Sequence, residues 1–213
     1  MRLYIIRHAE PAYPRDALTE HGHAQAQALA RRLGDMRIDR VYSSPMNRAV
    51  ETARYSAERL GLEVRIEPWT RELEDWWIPD AAVGELPVWQ VDAAILRALP
   101  GSGQEIWPLD ALAQLRSSAG EFLARHGYFR DGTKYRIENA PSHGIAVFCH
   151  AGFALTWLAD LLAIPLPLLW AGFSLSPCSV TTVVFEELAG GGAAPRCIGL
   201  GDVAHLIRLA KPA

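Results

Sequence analysis

Leu3-Tyr4-Ile5-Ile6-Arg7-His8-Ala9-Glu10 opens the chain with four apolar residues and then sets a guanidinium and an imidazole side by side. The apolar run reads as an amphipathic strand, and the change of character at Arg7 marks its end. Open α/β sheets gather their chemistry at the carboxyl ends of their strands. A single Arg-His pair is weak evidence, since many strand ends carry solvated charges. The chain supplies three partners in order: Arg48 after Ser43-Ser44-Pro45, Glu72 within Thr70-Arg71-Glu72-Leu73, and His150 within Phe148-Cys149-His150-Ala151-Gly152-Phe153.

Outward from this stretch, Pro11 and Pro14 mark a loop. Thr19 then offers a hydroxyl to cap a helix whose Ala26, Leu29, Ala30 and Leu33 recur at helical spacing. Val41-Tyr42-Ser43 reads as a short strand. Ser44-Pro45 reads as a helix start with Arg48 in the first turn, Val50, Ala53, Ala57 and Leu60 on the buried face, and Gly61 at the end. Val64-Arg65-Ile66 is a further short strand. From about 68 to 108 the periodicity fails, and Trp69, Trp76, Trp77, Trp89 and Trp107 are scattered among Pro and Gly. This segment is expected to be an inserted cap over the sheet.

Leu112, Leu115, Ala119, Phe122 and Leu123 restore a helical stripe, and the polar stretch from Asp131-Gly132 to Ser142 is expected to be a loop or a weak hairpin. Ile145 to Cys149 is a continuous apolar run, the pattern of a central strand buried on both faces, and it ends in His150. A helix with Leu155, Leu158, Ala159 and Leu162 on one face follows, stopping near Pro165 and Pro167. Ser179 to Phe185 and Arg196 to Leu200 read as a closing hairpin across Gly190-Gly191-Gly192. Strands alternating with helices predict one α/β domain over residues 1–213, a three-layer α/β/α sandwich on a mainly parallel central sheet.

Half of the 213 residues are apolar, enough for one substantial core, and the formal net charge is -3. No cluster of Lys and Arg resembles a phosphate-backbone stripe, so nucleic acid is not an expected partner. No run approaches membrane-spanning length and no leader pattern precedes the first strand, so a soluble protein with no membrane association is expected. Cys149, Cys178 and Cys197 lie in or near apolar runs without metal-ligand spacing. They read as reduced core residues, which points to a cytoplasmic location. His21, His23, His126 and His143 stand in polar contexts and read as surface or capping residues, and neither a metal site nor a cofactor is expected. Oligomeric state leaves no signal in the sequence.

In a parallel sheet the strand ends that carry His8 and His150 share one edge, so the two imidazoles are expected to meet. Arg48 near a helix N-terminus adds a cation where unpaired N–H groups already favour an anion. Together these features describe a phosphate pocket. The ordered motifs resemble those of the histidine phosphatase superfamily, the phosphoglycerate-mutase-like fold, and specifically its phosphatases. They are Arg7-His8-Ala9-Glu10, Leu18-Thr19-Glu20-His21-Gly22 with Gln25-Ala26, Ser43-Ser44-Pro45 through Arg48 to Glu51-Thr52-Ala53, Arg71-Glu72-Leu73, His150, and Gly201-Asp202-Val203-Ala204-His205-Leu206.

The resemblance implies that His8 is a neutral nucleophile forming a phosphohistidine, which splits one displacement into two. It implies that Arg7, Arg48 and a cationic His150 hold the non-bridging oxygens without a metal. Glu72 would protonate the leaving alcohol and then, as carboxylate, activate water. Glu74 and Asp75 are alternative carboxylates for that role. Ala9 and Ala151 stand where glycine is common beside the histidines, and no asparagine follows the first motif around Pro11-Ala12-Tyr13. His205 is expected to make a structural hydrogen bond.

The expected activity is that of a metal-independent phosphomonoesterase acting on a small-molecule phosphoester. The tryptophans either pack the core and lid or line a pocket for an apolar or aromatic ester group. Phosphoglycerate-mutase-type transfer is the nearest alternative, but Arg71-Glu72-Leu73-Glu74-Asp75 replaces the Glu-Arg-His-Tyr-Gly-like segment that mutases carry. A protein phosphohistidine phosphatase and a non-catalytic phosphate-recognition module are the remaining alternatives.

Overall fold

The opening strand, β1 (Arg2–Arg7), is buried on both faces instead of one. Leu3 and Ile5 enter one core while Tyr4 and Ile6 enter another, because helices cover each side of the sheet. The computed structural model describes residues 1–13, 15–73, 77–80, 84–87, 109–139 and 144–209. Four parallel strands form one half of an eight-stranded sheet: β5 (Val64–Ile66), β4 (Arg40–Ser43), β10 (Gly144–Cys149) and β1. On the other side of β1 the sheet continues antiparallel through β11 (Val180–Glu187), β12 (Ala193–Asp202), β9 (Lys134–Ile137) and β8 (Tyr128–Asp131). Only β11 and β9 run against the rest, so the mainly parallel sheet expected from the sequence is present. It gains an antiparallel wing.

Two helices, α1 (Glu20–Gly34) and α2 (Asn47–Leu60), pack on one face. Ala26, Leu29 and Leu33 of α1 and Ala53 and Ala57 of α2 meet Tyr4, Ile6, Ala146 and Phe148 of the sheet. The opposite face holds α3 (Leu109–Ala124) and α4 (Ala151–Leu162), whose Leu115, Phe122, Phe153 and Trp157 pack on Leu3, Ile5, Ile145 and Val147. This gives the three layers. A short α5 (Leu166–Gly172) follows Pro165. No helix among the described residues is long and apolar enough to cross a membrane.

Local signals place several boundaries. Thr19 caps α1 by accepting from the Gly22 N–H at 2.9 Å, and Gly61 ends α2 at a left-handed φ of 66°. Ser44-Pro45 does not start α2: the helix begins at Asn47, its N-cap is Met46, and no side chain caps it from that position. The polar stretch after Asp131 is the tight β8–β9 hairpin, turning at Gly132 with φ 60°. Its Tyr135 and its neighbour Tyr128 pack on Phe185 of β11 with ring centroids 5.1 and 4.9 Å apart, which docks the hairpin on the sheet.

His126 is not a surface residue; it is buried against Tyr42 and Phe122 at ring distances of 5.6 and 5.0 Å. Trp69, at the start of the expected cap, belongs to the core, with its ring centroid 5.1 to 5.6 Å from Trp157, Phe153 and Phe122. Its indole N–H donates to Glu67, which Arg125 also grips at 2.8 Å. Within the expected cap, β6 (Trp77–Asp80) and β7 (Gly84–Pro87) pair as a two-stranded antiparallel ribbon. Residues 74–76, 81–83 and 88–108 of that cap, with Trp76, Trp89 and Trp107, lie outside the described residues, as does His143. All three cysteines are free: Cys149 and Cys178 are buried, and Cys197 is half-buried.

Candidate active site

Parallel pairing sets Arg7 beside Cys149 and Phe148 beside Ser43, so the next residue on each strand leaves the sheet at one edge. The ladder runs one step further: the His8 N–H donates to the Cys149 carbonyl and the Ser44 N–H to the Phe148 carbonyl, both at 2.8 Å. His8, His150 and Ser44 are therefore neighbours. The two imidazole centroids lie 5.0 Å apart.

The hydrogen bonds of His8 decide its tautomer. Nδ1 lies 2.7 Å from the Ala9 carbonyl, which can only accept, so the proton sits on Nδ1. Nε2 faces the Nε–H of Arg48 at 3.2 Å, which can only donate, so Nε2 keeps its lone pair. His8 is 1% exposed, and burial, reinforced by Arg48 and Arg7, pushes its pKa down to about 3. The neutral imidazole that a nucleophile requires is the resting state.

His150 Nε2 pairs with the Ser44 hydroxyl at 2.8 Å, while its buried Nδ1 has no hydrogen-bond partner among the described residues. Burial, then His8 and the nearby arginines, pushes its pKa down to about 2, so the cationic form expected beside a phosphate dianion needs the charge of that dianion to form. Arg7 donates from Nη1 to the Leu175 carbonyl at 2.5 Å, and its buried Nε has no partner among the described residues. Arg48, in the first turn of α2 and 3% exposed, donates to His8 and, from Nη1, to Asp16 Oδ1 at 2.5 Å. Orphaned buried donors cost about 1–3 kcal/mol each, which an anion between these groups offsets.

Glu72 reaches the same edge from the segment after Trp69. Its Oε1 accepts from the N–H groups of Phe153 at 2.9 Å and Leu73 at 3.1 Å, and its Oε2 accepts from Gly152 at the longer distance of 3.3 Å. His150 occupies the N-cap position of α4 but gives no side-chain cap, so Glu72 takes that role from a distant segment. Gly152 leaves the room: an added Cβ would stand 2.7 Å from Glu72 Oε1 and 2.9 Å from Trp170 Cη2. Glu74 and Asp75 lie outside the described residues.

Ala9 and Ala151 need no left-handed backbone, since neither has a positive φ. The Ala9 N–H donates to Thr52 Oγ1 at 3.0 Å, and Thr52 in turn donates to the Arg48 carbonyl at 2.7 Å, which ties the loop after His8 to α2. Glu10 accepts from the Thr19 hydroxyl at 2.7 Å and braces the loop. His205 lies 3.2 Å from Arg32, which pairs with Asp202 at 2.7 Å, a structural contact away from the site. Ser44, Thr52 and Asp16 are the site residues missed from sequence. Ser44 and Thr52 stand in motifs already singled out, but beyond accepting from the Met46 N–H at 3.3 Å the Ser44 hydroxyl also meets His150; Asp16 carries no signal.

The arrangement presents an unprotonated imidazole nitrogen, two guanidiniums and a carboxyl group around one strand edge. Residues 3–77 match the family model described as the histidine phosphatase superfamily (branch 1). Over this stretch the chain is similar to the histidine phosphatase superfamily. The matched part holds Arg7, His8, Arg48 and Glu72, and β10 brings in His150 from beyond it. The chain is 35% identical over 81 residues to a putative phosphoserine phosphatase 2 of Hydrogenobacter thermophilus, covering 34% of this chain and 40% of that protein. It is 28% identical over 181 residues to the glucosyl-3-phosphoglycerate phosphatase of Mycobacterium tuberculosis, covering 77% and 76% of the two chains. In fold it is similar to the structure of a phosphoserine phosphatase from Entamoeba histolytica, with TM-score 0.66 and 22% identity over 97% of this chain and 99% of that one.

Proposed function

We propose that this enzyme is a phosphomonoesterase that works without a metal through a phosphohistidine on His8, acting on a small phosphoester. The observation that carries the proposal is the tautomer of His8, whose Nε2 lone pair stands unprotonated beside Arg48. In the first step Nε2 attacks phosphorus, the bond to the ester oxygen breaks, and protonated Glu72 gives its proton to the departing alkoxide. Oε2, whose one hydrogen bond among the described residues is the 3.3 Å contact to Gly152, is the oxygen available for that proton. In the second step Glu72, now a carboxylate, takes a proton from water as the water oxygen attacks phosphorus. The P–N bond breaks, and inorganic phosphate leaves a neutral His8.

Arg7 Nε and His150 Nδ1, buried at the site and without hydrogen-bond partners among the described residues, meet the non-bridging oxygens. A bound dianion offsets the positive surroundings of His150 and favours its protonation, which makes Nδ1 a donor to the phosphate. Trp170 beside Gly152 and Glu72 puts an indole edge on the side from which the alcohol departs, which supports an apolar or aromatic leaving group.

Acid-quenched incubation with a radiolabelled aryl phosphate tests the mechanism. Base-stable, acid-labile label is expected on the wild type and none on His8→Ala, with Arg48→Ala slowed by about 10²-fold or more. Equal labelling of His8→Ala overturns the assignment. Transfer of the label to added phosphoglycerate instead of to water would identify a mutase.

A further inference from the structure

Pro11–Ala12 (β2) and Ala17–Leu18 (β3) form a small hairpin whose connecting residues Tyr13 and Asp16 reach Arg48. Asp16, at φ 47°, accepts from Arg48 Nη1 through Oδ1 at 2.5 Å and from the Asn47 N–H through Oδ2 at 2.7 Å. The Tyr13 ring centroid lies 5.5 Å from the guanidinium carbon. The Arg48 side chain is 4% exposed and that of Asp16 is 38%, so the carboxylate covers the guanidinium from the open side. Its oxygen already occupies a hydrogen-bonding direction of the cation that the proposed function gives to phosphate. The backbone tie to Asn47, at the start of α2, keeps it there.

We propose that Asp16 is a specificity-determining residue, an internal anion that competes with substrate phosphate for Arg48 and disfavours esters carrying a carboxylate near the phosphate. The inference rests on the phosphate reading of Arg48. An incoming dianion either displaces Asp16 from Nη1 or binds with a like charge beside it, and both weaken anion binding relative to a site without the carboxylate. A further carboxylate on the substrate adds repulsion on the same side, whereas an uncharged alcohol does not. The substrate class this favours is the phosphomonoester of a neutral alcohol.

Asp16→Asn removes the charge and keeps an acceptor for Arg48, and Asp16→Ser gives a second variant of different shape; thermal melts confirm that each is folded. Inhibition constants are measured for inorganic phosphate, and affinities are compared for glycerol 3-phosphate and 3-phosphoglycerate. Phosphate should bind about threefold tighter or more, the size expected of a partly exposed charge pair. 3-Phosphoglycerate should gain more than glycerol 3-phosphate. Unchanged or weaker phosphate binding in both variants, with Arg48→Ala still abolishing it, overturns the role of Asp16 and leaves the phosphate site intact. Wild-type phosphate binding that Arg48→Ala does not reduce overturns the phosphate reading itself.

Discussion

At the scale of the residue, small groups decide where reactive ones point. The Ala9 carbonyl fixes the proton of His8 on Nδ1, and no pattern in the sequence reveals that contact because it depends on the turn after the strand. Gly152 shows the same dependence. A methyl group there would press on Glu72 Oε1 and Trp170 Cη2 at 2.7 and 2.9 Å, so Gly152→Ala shifts the proposed acid while His8 keeps its surroundings. Displacements of about 1 Å cost up to about 10²-fold in rate. Single-turnover hydrolysis of an alkyl phosphate should slow by about tenfold or more in Gly152→Ala. 4-Nitrophenyl phosphate, whose leaving group needs no proton, should be little affected. Equal slowing of both substrates would point away from Glu72 as the acid.

At the scale of the element, the site depends on how α2 and α4 begin. Neither helix is capped by its own N-cap side chain; Asp16 serves α2 and Glu72 serves α4, each from a separate segment. Both helix starts thereby bring charged groups to the strand edge, and this is why Ser44-Pro45 misleads as a local start signal. Thr52 is the fastening between β1 and α2, since its hydroxyl serves the Ala9 N–H and the Arg48 carbonyl together. Thr52→Val keeps the shape but orphans a buried N–H, which should destabilise the protein by about 1–3 kcal/mol in urea unfolding. Phosphate affinity should fall with it as Arg48 loosens. A variant of unchanged stability would show that water replaces the hydroxyl.

At the scale of the whole molecule, the buried histidines make stability depend on acid. The folded pKa values of His8, His150 and His205 are pushed down to about 3, 2 and 4, chiefly by burial, from an ordinary value of 6.5. Below pH 6.5 the unfolded chain therefore takes up protons that the folded chain refuses. Stability is full above 6.5 and falls as pH drops towards 4, by at most about 1.4 kcal/mol per pH unit for each of the buried His8 and His150 and by less for the half-buried, solvent-screened His205. Urea midpoints should decrease steadily from pH 7.5 to pH 5, and His205→Gln, outside the proposed chemistry, should flatten the decline. A pH-independent midpoint over that range would mean that these rings are solvated.

Periodicity and punctuation in the sequence determined the layers, the buried strand β10, the cap at Thr19, the end of α2 at Gly61, and the common edge shared by His8 and His150. These features depend on residues close together in the chain or on the regular geometry of parallel strands. The tertiary structure alone decided that Ser44 serves His150, 106 residues away, that Glu72 caps α4 from 81 residues before Phe153, and that Asp16 covers Arg48. It also decided that Trp69 joins the core and that the β8–β9 hairpin completes the sheet. A hydroxyl, a carboxylate or an indole has several partners compatible with its local sequence. Which one it takes is settled by the segments that the packed core brings alongside it.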